Sequence, residues 1–231
     1  MLQAIGLTKK YQGNVALNNL NLTIEPGEIY CLLGQNGAGK TTVINLFLGF
    51  AEATSGEARV NGLVVKPGDP DVKKFLAYIP EVVMLYEKLN SLENLDFFSK
   101  IAGFNYSTKE LQEFLIQVGL QPDAFYKPLG NYSKGMRQKV GIAIALAKNA
   151  DVLLMDEPTS GLDPKATNEF SDLVIRLGKQ GKIILMATHD LFNAVNVGTK
   201  IGIMRHGILV HEVLASEINA SDLQKLYLET I

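Results

Sequence analysis

The sequence predicts an α/β protein with a mostly parallel sheet, a second antiparallel β layer and an inserted helical lobe. Three observations lead there. Residues 29–33, 152–155 and 183–187 are uninterrupted apolar runs of strand length, which suit parallel strands covered on both faces. Residues 20–24 and the stretch around 58–60 instead alternate apolar with polar residues, and the second turns at Asn61-Gly62 into 63–65, as half-buried hairpin strands do. Between about 84 and 148 no strand pattern occurs. Residues 91–98 and 107–115 carry helical periodicity there, the second behind a Ser107-x-x-Glu110 capping box. The 231 residues read as one domain with the lobe at about 84–148 inserted in it.

Gly34-Gln35-Asn36-Gly37-Ala38-Gly39-Lys40-Thr41-Thr42 satisfies the pattern G-x-x-x-x-G-K-[ST] and follows the first apolar run directly. A helical stretch, 41–48, comes next, so the glycines fall where a strand turns into a helix. Glycine tolerates the positive φ angles that aim several backbone N–H groups into one concavity, and the helix N-terminus adds a positive dipole. Lys40 meets β- and γ-phosphates as a point charge, and the Thr41 hydroxyl can ligate Mg²⁺.

Two further strand ends carry chemistry: Asp156-Glu157 follows the second apolar run and Thr188-His189 the third. In open parallel sheets ligands bind at the carboxyl ends of the strands, so these groups and Gly34 can converge on one ligand. Asp156 can hold Mg²⁺, and Glu157 can take a proton from an attacking water. Read alone, Asp-Glu-Pro is a strand terminator before a proline turn, and His189 is a capping histidine. Behind a phosphate loop the catalytic readings prevail, with His189 on the γ-phosphate or the water. His206 and His211 flank a hairpin glycine and carry no chemistry.

The charge is balanced, 22 basic against 24 acidic residues, which gives no footprint for nucleic acid or anionic lipid. A single cysteine, Cys31, excludes an internal disulfide and fits a reducing compartment. No run approaches the ~18 apolar residues that span a bilayer, and the N-terminus lacks a signal-peptide core. A soluble chain is expected, with any membrane role supplied by a partner.

With these elements in order, the chain resembles the ATP-binding subunit of an ABC transporter over nearly its whole length. Residues 34–42 match the Walker A loop, 152–157 the Walker B strand, Ser160-Gly161-Leu162-Asp163 the D-loop and His189 the switch histidine. Tyr11 lies where the family places an aromatic that stacks on adenine; its alternative role is packing at a strand end. Tyr132-Ser133-Lys134-Gly135-Met136 stands where the family usually has Leu-Ser-Gly-Gly-Gln, with Ser133 and Gly135 retained. Physically this segment is a capped helix N-terminus and so a second anion site. The resemblance implies a P-loop ATPase core, ATP and Mg²⁺ as cofactors, and Lys40, Glu157 and His189 as catalytic groups. It implies a dimer, with itself or a related ATPase, in which Ser133, Lys134, Gly135 and Asp163 face ATP held by the other subunit. It also implies separately encoded membrane-spanning subunits that place the chain on the cytoplasmic face of a membrane.

Two departures stand out. Glu81 replaces the glutamine of the family's Q-loop; a carboxylate can still ligate Mg²⁺, but it lacks the amide donor. Lys134 puts a cation at a helix N-terminus, where the dipole opposes it by about 0.3–1 kcal/mol. Pro80-Glu81 with Tyr-Ser-Lys-Gly-Met most resembles the exporter-like ABC-2 group. The apolar stretch 82–86 then reads equally as lobe core or as a face for the membrane subunit. A soluble ABC ATPase of translation or DNA repair is the alternative, but such proteins carry a second cassette, a coiled-coil arm or basic extensions. A metabolic kinase would need an Arg-rich lid, which Arg137 alone does not supply.

Overall fold

A computed structural model describes residues 1–231. Strands β1 (Leu2–Tyr11), β2 (Asn14–Ile24), β4 (Ser55–Val60) and β5 (Leu63–Val64) form an antiparallel sheet in the order β2-β1-β4-β5. The β4–β5 turn is the anticipated Asn-Gly hairpin: Asn61 and Gly62 have φ of 49° and 82°, the two positive values that a type I′ turn needs. The second sheet has the order β10-β9-β3-β8-β7-β6. Within it β3 (Ile29–Leu33), β6 (Leu76–Ile79), β7 (Val152–Asp156), β8 (Ile183–Thr188) and β9 (Lys200–Arg205) run parallel, and β10 (Ile208–Leu214) pairs antiparallel at the edge.

Helix α1 (Lys40–Phe47) leaves β3, and the single-turn α2 (Pro70–Lys73) leads into β6. Between β6 and β7 the chain forms α3 (Ser91–Ile101), α4 (Thr108–Gln117) and α5 (Lys134–Ala147), with no strand among them. Helices α6 (Pro164–Lys179), α7 (Leu191–Val197) and α8 (Ala220–Thr230) complete the fold. Both α3 and α4 begin with full capping boxes, Asn90 with Glu93 and Ser107 with Glu110, each satisfying two otherwise orphaned N–H groups.

Alternation along β3 divides the interior. Tyr30 and Leu32 pack with Val43, Ile44 and Phe47 of α1 under the antiparallel layer, while Ile29, Cys31 and Leu33 face the other side of the sheet. That second cluster continues without a break into Leu92, Leu95, Leu111 and Leu115 of the lobe. Each such fully buried side chain contributes roughly 1.5–3 kcal/mol, so the lobe is held by the sheet's own core rather than by a separate one. The consequence for function is rigid placement: β3, β7 and β8 are neighbours, and Gly34, Glu157 and His189 follow their carboxyl ends.

Candidate nucleotide site

Steric fit selects glycine at the start of the loop after β3. A Cβ at Gly34 would lie 2.7 Å from the Met204 carbonyl oxygen and 2.8 Å from the Ala38 Cβ. Gly37 and Gly39 have φ of 83° and 107°, which side-chain-bearing residues rarely adopt. Gly39 caps α1 without any side-chain bond, and the first turn holds no acidic residue. The free N–H groups and the positive helix end are therefore left for an anion. Lys40 sits in that same turn and is only 6% exposed. Its ammonium donates to the carbonyls of Gly34 at 2.5 Å and Gln35 at 3.4 Å, and lies 3.6 Å from Glu157 Oε1.

Across the loop, the Thr41 hydroxyl donates to Asp156 Oδ2 at 3.0 Å. Burial pushes the Asp156 carboxyl above the ordinary aspartate range, reinforced by Glu157 and Glu81 and opposed by Thr41 and Lys40. A carboxylate in that position gains from a nearby cation. Glu157 follows in the left-handed region at φ 47°, uncommon for a side-chain-bearing residue and typical of functional sites. Its N–H is fixed on the Ala187 carbonyl at 2.9 Å. Its Oε2 lies 2.8 Å from His189 Nδ1 and accepts the His189 N–H at 3.3 Å.

A cavity of about 680 Å³ is lined by Tyr11, residues 35–37 and 39–42, Glu81, Asp156 and Glu157, among others. The volume suits a small-molecule ligand. Gly34 and Ala38 do not line the cavity, and the Ala38 N–H is already committed to the Gln35 carbonyl at 3.0 Å. His189 reaches the cavity only through Glu157 and is itself exposed. No cluster of three His, Cys, Asp or Glu side chains forms a cage for a metal. Thr41 and Asp156 nevertheless offer hard oxygens side by side, which fits Mg²⁺, an ion usually held by one or two carboxylates together with substrate phosphates.

Ser133, Lys134, Gly135 and Asp163 do not line the cavity. Ser133 caps α5 by accepting from the Met136 N–H at 3.3 Å, and Asp163 caps α6 by accepting from the Ala166 N–H at 2.9 Å. Lys134 leans toward the rim, 3.7 Å from Glu81 Oε1, and Ser160 Oγ donates to that same oxygen at 2.8 Å. Below them the fully buried Gln138 donates to the carbonyls of Pro80 and Glu81 at 3.1 and 3.0 Å. The sequence places Ser160 in the D-loop but does not pair it with Glu81, and it assigns Gln138 no role. For Gln138 a signal existed, a polar residue on the buried face of a helix; for Ser160 there was none, since its partner is 79 residues away.

A parallel sheet whose strand ends gather a phosphate cradle, a hydroxyl–carboxylate pair and a glutamate–histidine pair defines a P-loop ATPase. The ABC transporter family pattern matches residues 17–160, and the chain belongs to that family as an ATP-binding, ATP-hydrolysing subunit. The bacitracin transport ATP-binding protein BcrA of Bacillus licheniformis is 35% identical over 208 residues, covering 90% of this chain and 67% of BcrA. The linearmycin resistance ATP-binding protein LnrL of Bacillus subtilis is 32% identical over 209 residues, with the same shares covered. Among solved structures, cbiO1 of Clostridium perfringens, part of the transporter complex cbiONQ, superposes with a TM-score of 0.84 at 26% identity, covering 98% of this chain and 94% of cbiO1. An ATP-binding cassette solved as a dimer in a post-hydrolysis state with ADP and phosphate superposes with a TM-score of 0.82 at 26% identity, covering 93% of this chain and 99% of that one.

Proposed function

We propose that this ATPase works as a dimer on the cytoplasmic face of a membrane, driving export through separately encoded membrane-spanning subunits. One observation carries the dimer: the Ser133-capped N-terminus of α5 lies outside the cavity that Lys40 and Thr41 line. A second anion-binding helix end without a phosphate in its own chain is explained by ATP held in a second copy or a related subunit. Export is supported by the named roles of BcrA in bacitracin transport and LnrL in linearmycin resistance.

In this reading, Tyr11 stacks on adenine, and the cradle of residues 34–42 holds the phosphates. Lys40 exchanges its carbonyl partners for β- and γ-phosphate oxygens. Mg²⁺, held by Thr41 and Asp156 with Glu81 beside them, supplies charge neutralisation on the phosphates. Glu157 accepts the proton of the attacking water, and His189 orients Glu157. Ser133, Lys134 and Gly135 close on the opposing nucleotide, with Asp163 at the same interface. No helix is long and apolar enough to cross a membrane. The exposed Val82, Met84 and Tyr86, with Tyr86 packed against Phe97 and Phe98, offer an apolar face to the membrane subunit.

A cross-linking experiment tests the dimer. Cysteines placed at Ser133 and Asn36 would meet only between copies, and the native Cys31 is buried and does not compete. Covalent dimer in Mg-ATP but not in ADP is the expected result; monomer in both would overturn the assembly.

A further inference from the structure

Lys9 and Tyr11 are two residues apart on β1, so their side chains share one face of the strand. The Lys9 ammonium stands over the Tyr11 ring, 4.8 Å from its centroid. Its hydrogen bond goes to a backbone oxygen, the carbonyl of Glu52 at 2.7 Å, rather than to a carboxylate. That carbonyl is itself fixed in place. The segment after α1 is laced to β1 by the Thr54 N–H on the Thr8 carbonyl at 2.8 Å and by the Lys10 N–H on Thr54 Oγ1 at 3.0 Å. Tyr11 lines the nucleotide cavity, whereas Lys9 and Glu52 do not.

We infer that Lys9 is a nucleotide-positioning residue: it holds the Tyr11 ring from the side turned away from the cavity and so presents the other face to adenine. This rests on the reading of Tyr11 as the adenine-stacking residue. A ring on the last residue of a strand, 44% exposed, would otherwise sample several rotamers, and immobilising it on binding lowers affinity. The Glu52 carbonyl holds the lysine stem, so that cost is met in the folded chain before any nucleotide arrives. A cation on one face of an aromatic ring also draws electron density from it, which favours stacking of an electron-rich purine on the other. An exposed cation–π contact corresponds to a factor of about two to five in an equilibrium constant.

The experiment is a double-mutant cycle read by calorimetry, with ATP and with inorganic triphosphate, which carries the charge and lacks the base. Lys9→Met should weaken ATP about two- to fivefold and leave triphosphate binding unchanged, and Lys9→Arg should retain wild-type affinity. The loss should vanish when Lys9→Met is made in a Tyr11→Ala background. In turnover, KM should rise by the same factor with kcat unchanged. Unchanged ATP affinity in Lys9→Met would overturn the inference. So would an equal loss for triphosphate, which would place the ammonium on the phosphates, or an equal loss in the Tyr11→Ala background. Failure of the underlying reading looks different: Tyr11→Ala itself would then bind ATP like wild type.

Discussion

Glu81 and Lys134, the two charged positions at which the chain leaves the family's usual pattern, meet in space with Oε1 and Nζ 3.7 Å apart. One departure compensates the other. Lys134 opens α5 at its positive end, where no acidic residue of the helix's own first turn offsets it, and the Glu81 carboxylate supplies the missing counter-charge. Both side chains are partly exposed, so the pair is worth only about 0–1 kcal/mol. A polyphosphate, with several charges, can readily take Lys134 from it.

The first prediction concerns Glu81 as a metal ligand. Glu81→Gln should leave ATP affinity largely intact and move the Mg²⁺ dependence of turnover, because an amide oxygen is the weaker ligand for a hard cation. A hydrolysis titration against Mg²⁺ that superimposes on wild type would place Glu81 outside the metal shell and leave it as the counter-charge of Lys134 alone.

Removing the phosphate-loop lysine tests the cradle itself. Lys40→Ala should abolish ATP binding and hydrolysis together, since charge-assisted hydrogen bonds of roughly 1.5–3 kcal/mol each are lost. Calorimetry giving equal affinities for the two proteins would remove Lys40 from the site.

Stability of the lobe can be probed away from the chemistry. Asn90 accepts the Glu93 N–H at 2.9 Å, and the Glu93 side chain returns a bond to the Asn90 N–H at 2.8 Å. Asn90→Ala should therefore cost about 0.5–2 kcal/mol, measured by urea unfolding, with nucleotide affinity unchanged. A variant as stable as wild type would show that this cap is redundant with packing.

That capping box also marks the limit of what the sequence made legible. Motifs that are local in the chain were readable: the cradle of residues 34–42, the three buried apolar runs, the Asn61-Gly62 hairpin and the Ser107 box. Strand β9 was not, because Gly202 breaks its apolar run. Glycine is needed there since a Cβ would collide with the Tyr30 hydroxyl and ring, a partner far away in sequence. Strand β1 was obscured in the same way: Gly6, at φ 57°, lies where its pairing with β2 shifts register, so no clean alternation survives. Strand β6 has only four residues. At the site, the spacing of residues announced which groups follow strand ends. It could not announce that Ser160 and Lys134 would converge on Glu81, whereas Asp163 directly before Pro164 is a local helix-start signal, and its carboxylate caps α6.

The last prediction links the catalytic carboxylate to assembly. Glu157 is held in place from three sides: its N–H on Ala187, its Oε2 on His189 and its Oε1 facing Lys40. Replacing only its charge should therefore disturb little of the geometry. Glu157→Gln should bind ATP normally and hydrolyse it about 10²–10⁴ times more slowly, the usual loss for a general base. With hydrolysis stalled, the sandwich keeps its phosphate contacts from both copies, and light scattering in Mg-ATP should show a dimer that wild type forms only transiently. Ser133→Arg added to Glu157→Gln should return the protein to monomer, because a bulky side chain at the N-terminus of α5 blocks the opposing phosphate. A double variant that still dimerises would detach Ser133 from the interface. Turnover of Glu157→Gln at the wild-type rate would remove Glu157 as the base, whatever the state of assembly.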